Sequence, residues 1–161
     1  MTPLRKLYID VVWGNVLNFP SLFLKSNYLP KTENRMQELS PGWTIDTHHE
    51  GDWLCLTLIA PVAEIAHAPK DLAESIDSLV RNTFFSRVIV NLESLLYLPA
   101  KLMRQLILLK EKLEQRAGEL ALCAMNEHAY QSVTALGLET TFPNYEGFSA
   151  VTARFRPIHP R

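Results

Sequence analysis

An abrupt change of hydrophobic period between residues 87 and 118 constrains the fold more than any other feature of the sequence. Residues 88–92 form a nearly continuous apolar run that is rich in β-branched side chains and too short for a helix. Such a run predicts a strand buried on both faces, as in the centre of a parallel sheet. From Ala100 to Ala117 the apolar residues recur instead at helical spacing, which predicts an amphipathic helix whose buried face carries Leu102, Leu106, Leu109 and Leu113.

Two residues mark the predicted ends of this helix. Pro99 has a fixed φ and no N–H to leave unpaired, so it suits the first helical position. Gly118 suits a left-handed cap at the other end. With the apolar stretch 119–124 as the next strand, the segment predicts one βαβ unit.

The flanking segments extend this pattern in both directions. Residues 53–59 alternate as a strand does, residues 44–47 are expected to pair with them as a hairpin, and residues 62–65 suit a short edge segment. A helix is predicted from Pro69 to about Asn82, and another from an Asn126 cap to a closing Gly137. Residues 140–142 suit a last edge strand, followed by a terminal helix that Asn144 caps and that ends near Phe155.

This order of elements predicts the fold class. Two strands followed by alternating helices and strands indicate an α/β domain with right-handed crossovers. We expect a mixed, mostly parallel sheet of four to five strands packed with about four helices, within residues 44–157.

Residues 1–43 lack a sustained helical or alternating pattern and contain four prolines. They are predicted to be an N-terminal extension, for which two interpretations remain. The extension either docks on the domain through Trp13, Phe19 and Phe23, or precedes a native product that starts at Met36. Asp10 interrupts the one apolar stretch that resembles a signal peptide, so secretion is not expected.

Composition and motifs argue against several classes of function. A net charge of −1 gives no electrostatic reason to expect nucleic acid, and the apolar runs are too short to span a bilayer. The five histidines form no zinc-ligand spacing, and the glycines form no phosphate-binding loop. We therefore expect no enzyme, no cofactor and no metal. Cys55 and Cys123 lie in apolar strands, as reduced core residues of a cytoplasmic protein do.

The run NLESLLYL followed by a helix resembles the STAS domain, the family of anti-sigma factor antagonists and of the cytoplasmic domains of sulfate transporters. The later segment 121–151 is similar to the end of the family's domain, with Gly137 and Leu138 at its Gly-Leu pair. Family members carry Asp-Ser-Ser-Gly-Leu at the start of the helix, where a partner kinase phosphorylates the first serine. The ungapped match places Pro99, Ala100, Lys101, Leu102 and Met103 at these five positions, so the phospho-acceptor is missing.

The resemblance implies a protein-binding regulatory module that has lost phosphorylation control. Its partner is expected to be an anti-sigma factor kinase or another STAS protein, bound at the loop before the helix and at the helix start. The predicted contact residues are Ser94, Tyr97, Pro99, Ala100, Lys101, Met103 and Arg104. Two alternatives remain open: a structural subunit in an assembly of STAS domains, and a STAS domain that binds a small ligand or lipid.

Overall fold

The computed structural model describes residues 35–155, and the predicted docking of the earlier aromatic residues lies outside this range. Within residues 35–155, one five-stranded sheet is flanked by four α-helices and one 3-10 helix. The strands are β1 (Arg35–Ser40), β2 (Trp43–Glu50), β3 (Trp53–Ile59), β4 (Arg87–Asn91) and β5 (Glu119–Cys123). The helices are the 3-10 helix (Val62–His67), α1 (Leu72–Thr83), α2 (Ala100–Glu114), α3 (Glu127–Ala135) and α4 (Phe148–Arg154).

The strands lie in their order along the chain. The pairs β1–β2 and β2–β3 are antiparallel, and β3–β4 and β4–β5 are parallel. Gly42 (φ 81°) and Gly51 (φ 63°) lie in the two hairpin turns, where a left-handed backbone suits the twist of the paired strands. The predicted α/β fold with a mixed sheet is confirmed, although the sheet is evenly mixed rather than mostly parallel.

The sheet begins at β1, before the predicted boundary at Thr44. Four of the six β1 residues are exposed and the other two are half-buried, as befits an edge strand. Because β1 is mostly exposed and Leu39 alone among its residues packs against the main core, its sequence carries no apolar alternation. Its place in the sheet comes from the antiparallel register with β2, in which Arg35 pairs with Thr47.

Each face of the sheet has its own apolar cluster. On one face, alternate residues of β3, β4 and β5 pack with α1, α2 and α3, and Leu56, Val90 and Leu122 are fully buried among them. On the other face, Cys55, Ile89 and Cys123 pack beneath α4. This second layer is thin, because α4 has only seven residues and buries Val151 alone.

Two predicted elements before the central strand differ in the structure. Residues 62–65 form part of the 3-10 helix instead of an edge strand, because Ile65 is buried and Trp43 donates its indole N–H to the Glu64 carbonyl (3.1 Å). Helix α1 begins at Leu72 rather than at Pro69, and it ends with Phe84 in a left-handed conformation (φ 61°).

The junction between α2 and β5 also differs from its prediction. Ala117, not Gly118, takes the left-handed conformation (φ 55°). Gly118 is required for a close approach instead, because a Cβ there would lie 2.3 Å from the Ser86 carbonyl oxygen. Its missing side chain lets the chain enter β5 directly beside the start of β4.

The predicted last edge strand at residues 140–142 is absent from the described sheet. One parallel bridge joins Cys123 to Tyr145, and the Ala124 N–H donates to the Tyr145 carbonyl (2.7 Å). Continuing that register backwards by two residues places Pro143 opposite Ala121. Proline has no N–H to donate, so Pro143 could accept from β5 but could not donate to it, which disfavours a longer ladder.

Candidate protein-binding edge

Of the exposed residues that follow β4, six are called here the docking edge: Ser94, Leu96, Tyr97, Ala100, Lys101 and Arg104. The first three lie on the loop between β4 and α2, and the others lie on the first two turns of α2. The side chains of Leu96 and Tyr97 are unusually open for their types, with 52% and 38% of their surfaces exposed. Five of the seven predicted contact residues belong to this edge.

Buried leucines fix the loop that carries the exposed ones. Leu95 is fully buried and Leu98 is 3% exposed, and both belong to the main core. The side chain of Asn91, at the end of β4, accepts a hydrogen bond from the Glu93 N–H (2.8 Å). The Leu95 N–H donates to the Leu92 carbonyl (2.9 Å). These contacts hold the loop in a defined turn, which directs the side chains of Leu96 and Tyr97 toward solvent.

Asn126 ties this loop to the next one along the sheet edge. Its side-chain N–H donates to the Leu95 carbonyl (2.8 Å), and its side-chain oxygen accepts from the Ala129 N–H (2.8 Å). The second bond confirms the predicted cap of α3. The sequence does not predict the bond to Leu95, because no local pattern indicates a contact between residues so far apart in sequence.

Asn144 plays a different part from the one predicted. Gly147, not Asn144, precedes the first residue of α4. The Asn144 side chain instead pairs with the backbone of Met125, accepting from its N–H (3.1 Å) and donating to its carbonyl (2.9 Å). Asn144 therefore holds the loop that carries Asn126. Through Asn126 it supports the docking edge indirectly.

The start of α2 presents a positive end to solvent. Pro99 precedes the first helical residue in an extended conformation (ψ 151°), so it is the cap residue and not the first helical residue as predicted. Its carbonyl accepts from the Met103 N–H (3.0 Å), but no side chain caps the helix and no acidic residue lies in its first turn. Lys101 and Arg104 add two cationic side chains to the uncapped helix end.

Two predicted contact residues differ from the rest. Met103 is 1% exposed and packs in the main core, so its side chain is not available to a partner. Its spacing of three from Leu106 places it on the buried stripe of the helix. Pro99 is half-buried and contributes to the edge mainly by directing the chain into α2.

Neither buried thiol belongs to the docking edge. Cys55 and Cys123 are both fully buried and free, as their positions in apolar strands predict. Burial raises the pKa of each thiol to about 12, so neither is a reactive thiolate at neutral pH. Among residues 35–155, no three metal-ligating side chains come together, and no helix is long and apolar enough to cross a membrane.

The sequence matches no protein-family model and no curated protein. Solved structures do match it. The anti-sigma factor antagonist SpoIIAA in its unphosphorylated form superposes with a TM-score of 0.57 at 14% identity, over 71% of this chain and 99% of SpoIIAA. An anti-sigma factor antagonist from Mycobacterium paratuberculosis gives 0.53 at 16% identity, over 73% and 97% of the two chains.

The chain has the STAS fold. A third structure, that of the protein TM1081 from Thermotoga maritima, gives a TM-score of 0.57 at 13% identity and covers 78% of this chain and 94% of TM1081. The resemblance to the STAS domain that residues 87–118 predict is therefore confirmed for the fold. Near-complete coverage of the three other chains indicates that the STAS-like part of this protein has the usual extent of the fold.

Proposed function

We propose that this STAS-like chain is a cytoplasmic, non-enzymatic regulatory module that binds a protein partner through the docking edge. The observation that carries the proposal is the exposure of Leu96 and Tyr97 between buried anchors, beside an uncapped and cationic helix start. Exposed apolar side chains on a rigid loop lose little conformational entropy when a partner covers them. Aromatic side chains are also enriched among the residues that dominate binding energy.

The charge of the docking edge favours an acidic surface on the partner. The positive end of α2, Lys101 and Arg104 all lie within two helical turns. None of the ion pairs among residues 35–155 involves either side chain, so both are available to a partner. By the resemblance, the partner is an anti-sigma factor kinase or another STAS protein.

We also propose that phosphorylation does not control this edge. Ala100 is exposed as the first residue of α2. The resemblance matches it to the family's phosphoserine, but it has no hydroxyl group. A phosphate would add between about −1.5 and −2 charges at neutral pH. Without that charge, the edge keeps one electrostatic state and stays competent to bind.

Affinity capture tests the proposal with two matched charge reversals. The full chain, Lys101→Glu and Arg154→Glu serve as baits in a lysate of the source organism. Arg154 is exposed on α4, on the opposite side of the sheet, so its reversal changes net charge equally and leaves the docking edge intact. We expect the parent and Arg154→Glu to recover a histidine-kinase-like anti-sigma protein and Lys101→Glu to lose it.

Two results would contradict the proposal. Equal recovery of that protein by all three baits would exclude the docking edge as its binding site. Recovery of STAS proteins alone, independent of Lys101, would instead favour the structural-subunit alternative.

A further inference from the structure

The outer side of β5 has backbone groups that the described residues leave unpaired. The Glu119 N–H donates to the Ser86 carbonyl, and the Cys123 carbonyl accepts from the Leu92 N–H, both at 3.0 Å. These bonds show that residues 119, 121 and 123 direct their backbone groups toward β4. Because the backbone groups of a strand point alternately to its two sides, the N–H and C=O of Leu120 and the N–H of Leu122 point away from β4. These groups have no backbone partner within residues 35–155.

A narrow slot separates this side of β5 from the segment 140–143. Among the described residues, the two backbones are joined by the bridge between Cys123 and Tyr145, and Pro143 has no N–H with which to extend that ladder toward Leu120. The resulting cavity of about 230 Å³ is lined by residues 119–122 and 140–143. Its outer wall is accessible, since Thr140 and Pro143 are exposed and Thr141 is half-exposed.

We propose that this slot binds an extended peptide segment of a protein partner, which pairs with β5 as a sixth strand. Unpaired backbone groups at every second residue of β5 are spaced roughly 6.6 Å apart, which matches the two-residue repeat of another extended chain. Addition of a strand to a sheet edge is a common mode of peptide recognition. The cavity is smaller than the roughly 300–1,000 Å³ typical of small-molecule sites, which favours a short stretch of main chain over a compact ligand.

The charges around the slot define the peptide further. Glu119 forms no ion pair within residues 35–155, whereas Lys110 on the α2 side is paired with Glu114 (2.7 Å). The slot therefore has an unbalanced negative charge at the start of β5. A peptide with a lysine or arginine at that end complements it.

This proposal goes beyond the proposed function, because the slot shares no residue with the docking edge. Random seven-residue peptides displayed on phage are selected on the full chain, and the affinity of each selected peptide is measured by fluorescence anisotropy. Thr141→Trp fills the slot, and Thr134→Trp places the same side chain on the exposed face of α3 as a control. We expect peptides that bind the parent and Thr134→Trp equally and lose at least about tenfold in affinity for Thr141→Trp.

A second measurement does not depend on the folding of any variant. Methylation of the peptide's backbone nitrogens, one at a time, should weaken binding at alternate positions, because a paired strand donates toward β5 only at every second residue. Lys101→Glu should leave peptide affinity unchanged, which separates this site from the docking edge. Failure to select any peptide, equal affinity for Thr141→Trp, or a methylation profile without a two-residue period would overturn the proposal.

Discussion

Replacement of Gly118 by alanine tests the packing of the α2–β5 junction most sharply. The added Cβ would lie 2.3 Å from the Ser86 carbonyl oxygen and 3.0 Å from the Leu113 carbonyl oxygen. The Ser86 carbonyl must therefore retreat by roughly 0.7 Å, which strains the junction by about 1–3 kcal/mol. That movement also weakens the hydrogen bond from the Glu119 N–H, which is worth about 1 kcal/mol.

Alanine has less backbone freedom than glycine in the unfolded chain, so it loses less entropy on folding. This difference offsets up to about 1 kcal/mol of the cost. We expect Gly118→Ala to lower the free energy of unfolding by about 2–3 kcal/mol and the melting temperature by about 8 °C. Urea unfolding followed by fluorescence measures the change, since Trp43 and Trp53 are buried and report on the core.

Gly51→Ala is the control for backbone strain without collision. Gly51 has a positive φ of 63°, but a Cβ there meets nothing within 4 Å, so we expect a cost of only about 1 kcal/mol. If Gly118→Ala is as stable as the parent, or no less stable than Gly51→Ala, the close approach at Ser86 does not constrain the fold and the reasoning is wrong.

Three further predictions concern stability. Ala117→Gly should raise the free energy of unfolding by about 1 kcal/mol, measured as a higher urea midpoint, because it relieves a left-handed alanine (φ 55°). Asn126→Ala should cost about 1–2 kcal/mol and speed amide exchange in the docking loop, as it removes a helix cap and a loop tie. Burial raises the pKa of Cys55 and Cys123 from 9.0 to about 12, so unfolded thiols lose their protons first and stability should fall between about pH 9 and 12. The free energy of unfolding at pH 8 and at pH 10.5 measures this fall in stability. The variant that carries both Cys55→Ala and Cys123→Ala should not show it.

The sequence predicts elements well where burial imposes a period. β3, β4, α2 and β5 each bury a regular set of side chains, so apolar spacing locates them to within a few residues. β1 was missed because both of its faces are largely exposed, and an exposed edge strand needs no apolar pattern. Residues 140–142 have strand-like character, but whether they pair with β5 depends on a register that sequence alone does not provide.

Sequence also predicts the docking edge only in part. The exposed residues follow from the loop and helix that the period change locates. Met103 is predicted as a contact only by the resemblance, whereas its helical spacing from Leu106 places it in the core. The ties from Asn126 and Asn144 depend on contacts across many residues, so only the folded structure reveals them.

The most direct test of the docking edge is the affinity of the purified captured partner for two variants at Ala100. Ala100→Glu places a negative charge at the position that the resemblance matches to the family's phosphoserine, and Ala100→Gln adds a side chain of similar size without charge. The helix dipole favours the glutamate, so Ala100→Glu should fold at least as stably as the parent. We predict that its dissociation constant rises by about tenfold while that of Ala100→Gln changes little. Equal dissociation constants for the two variants would contradict the proposal that the partner binds at the start of α2.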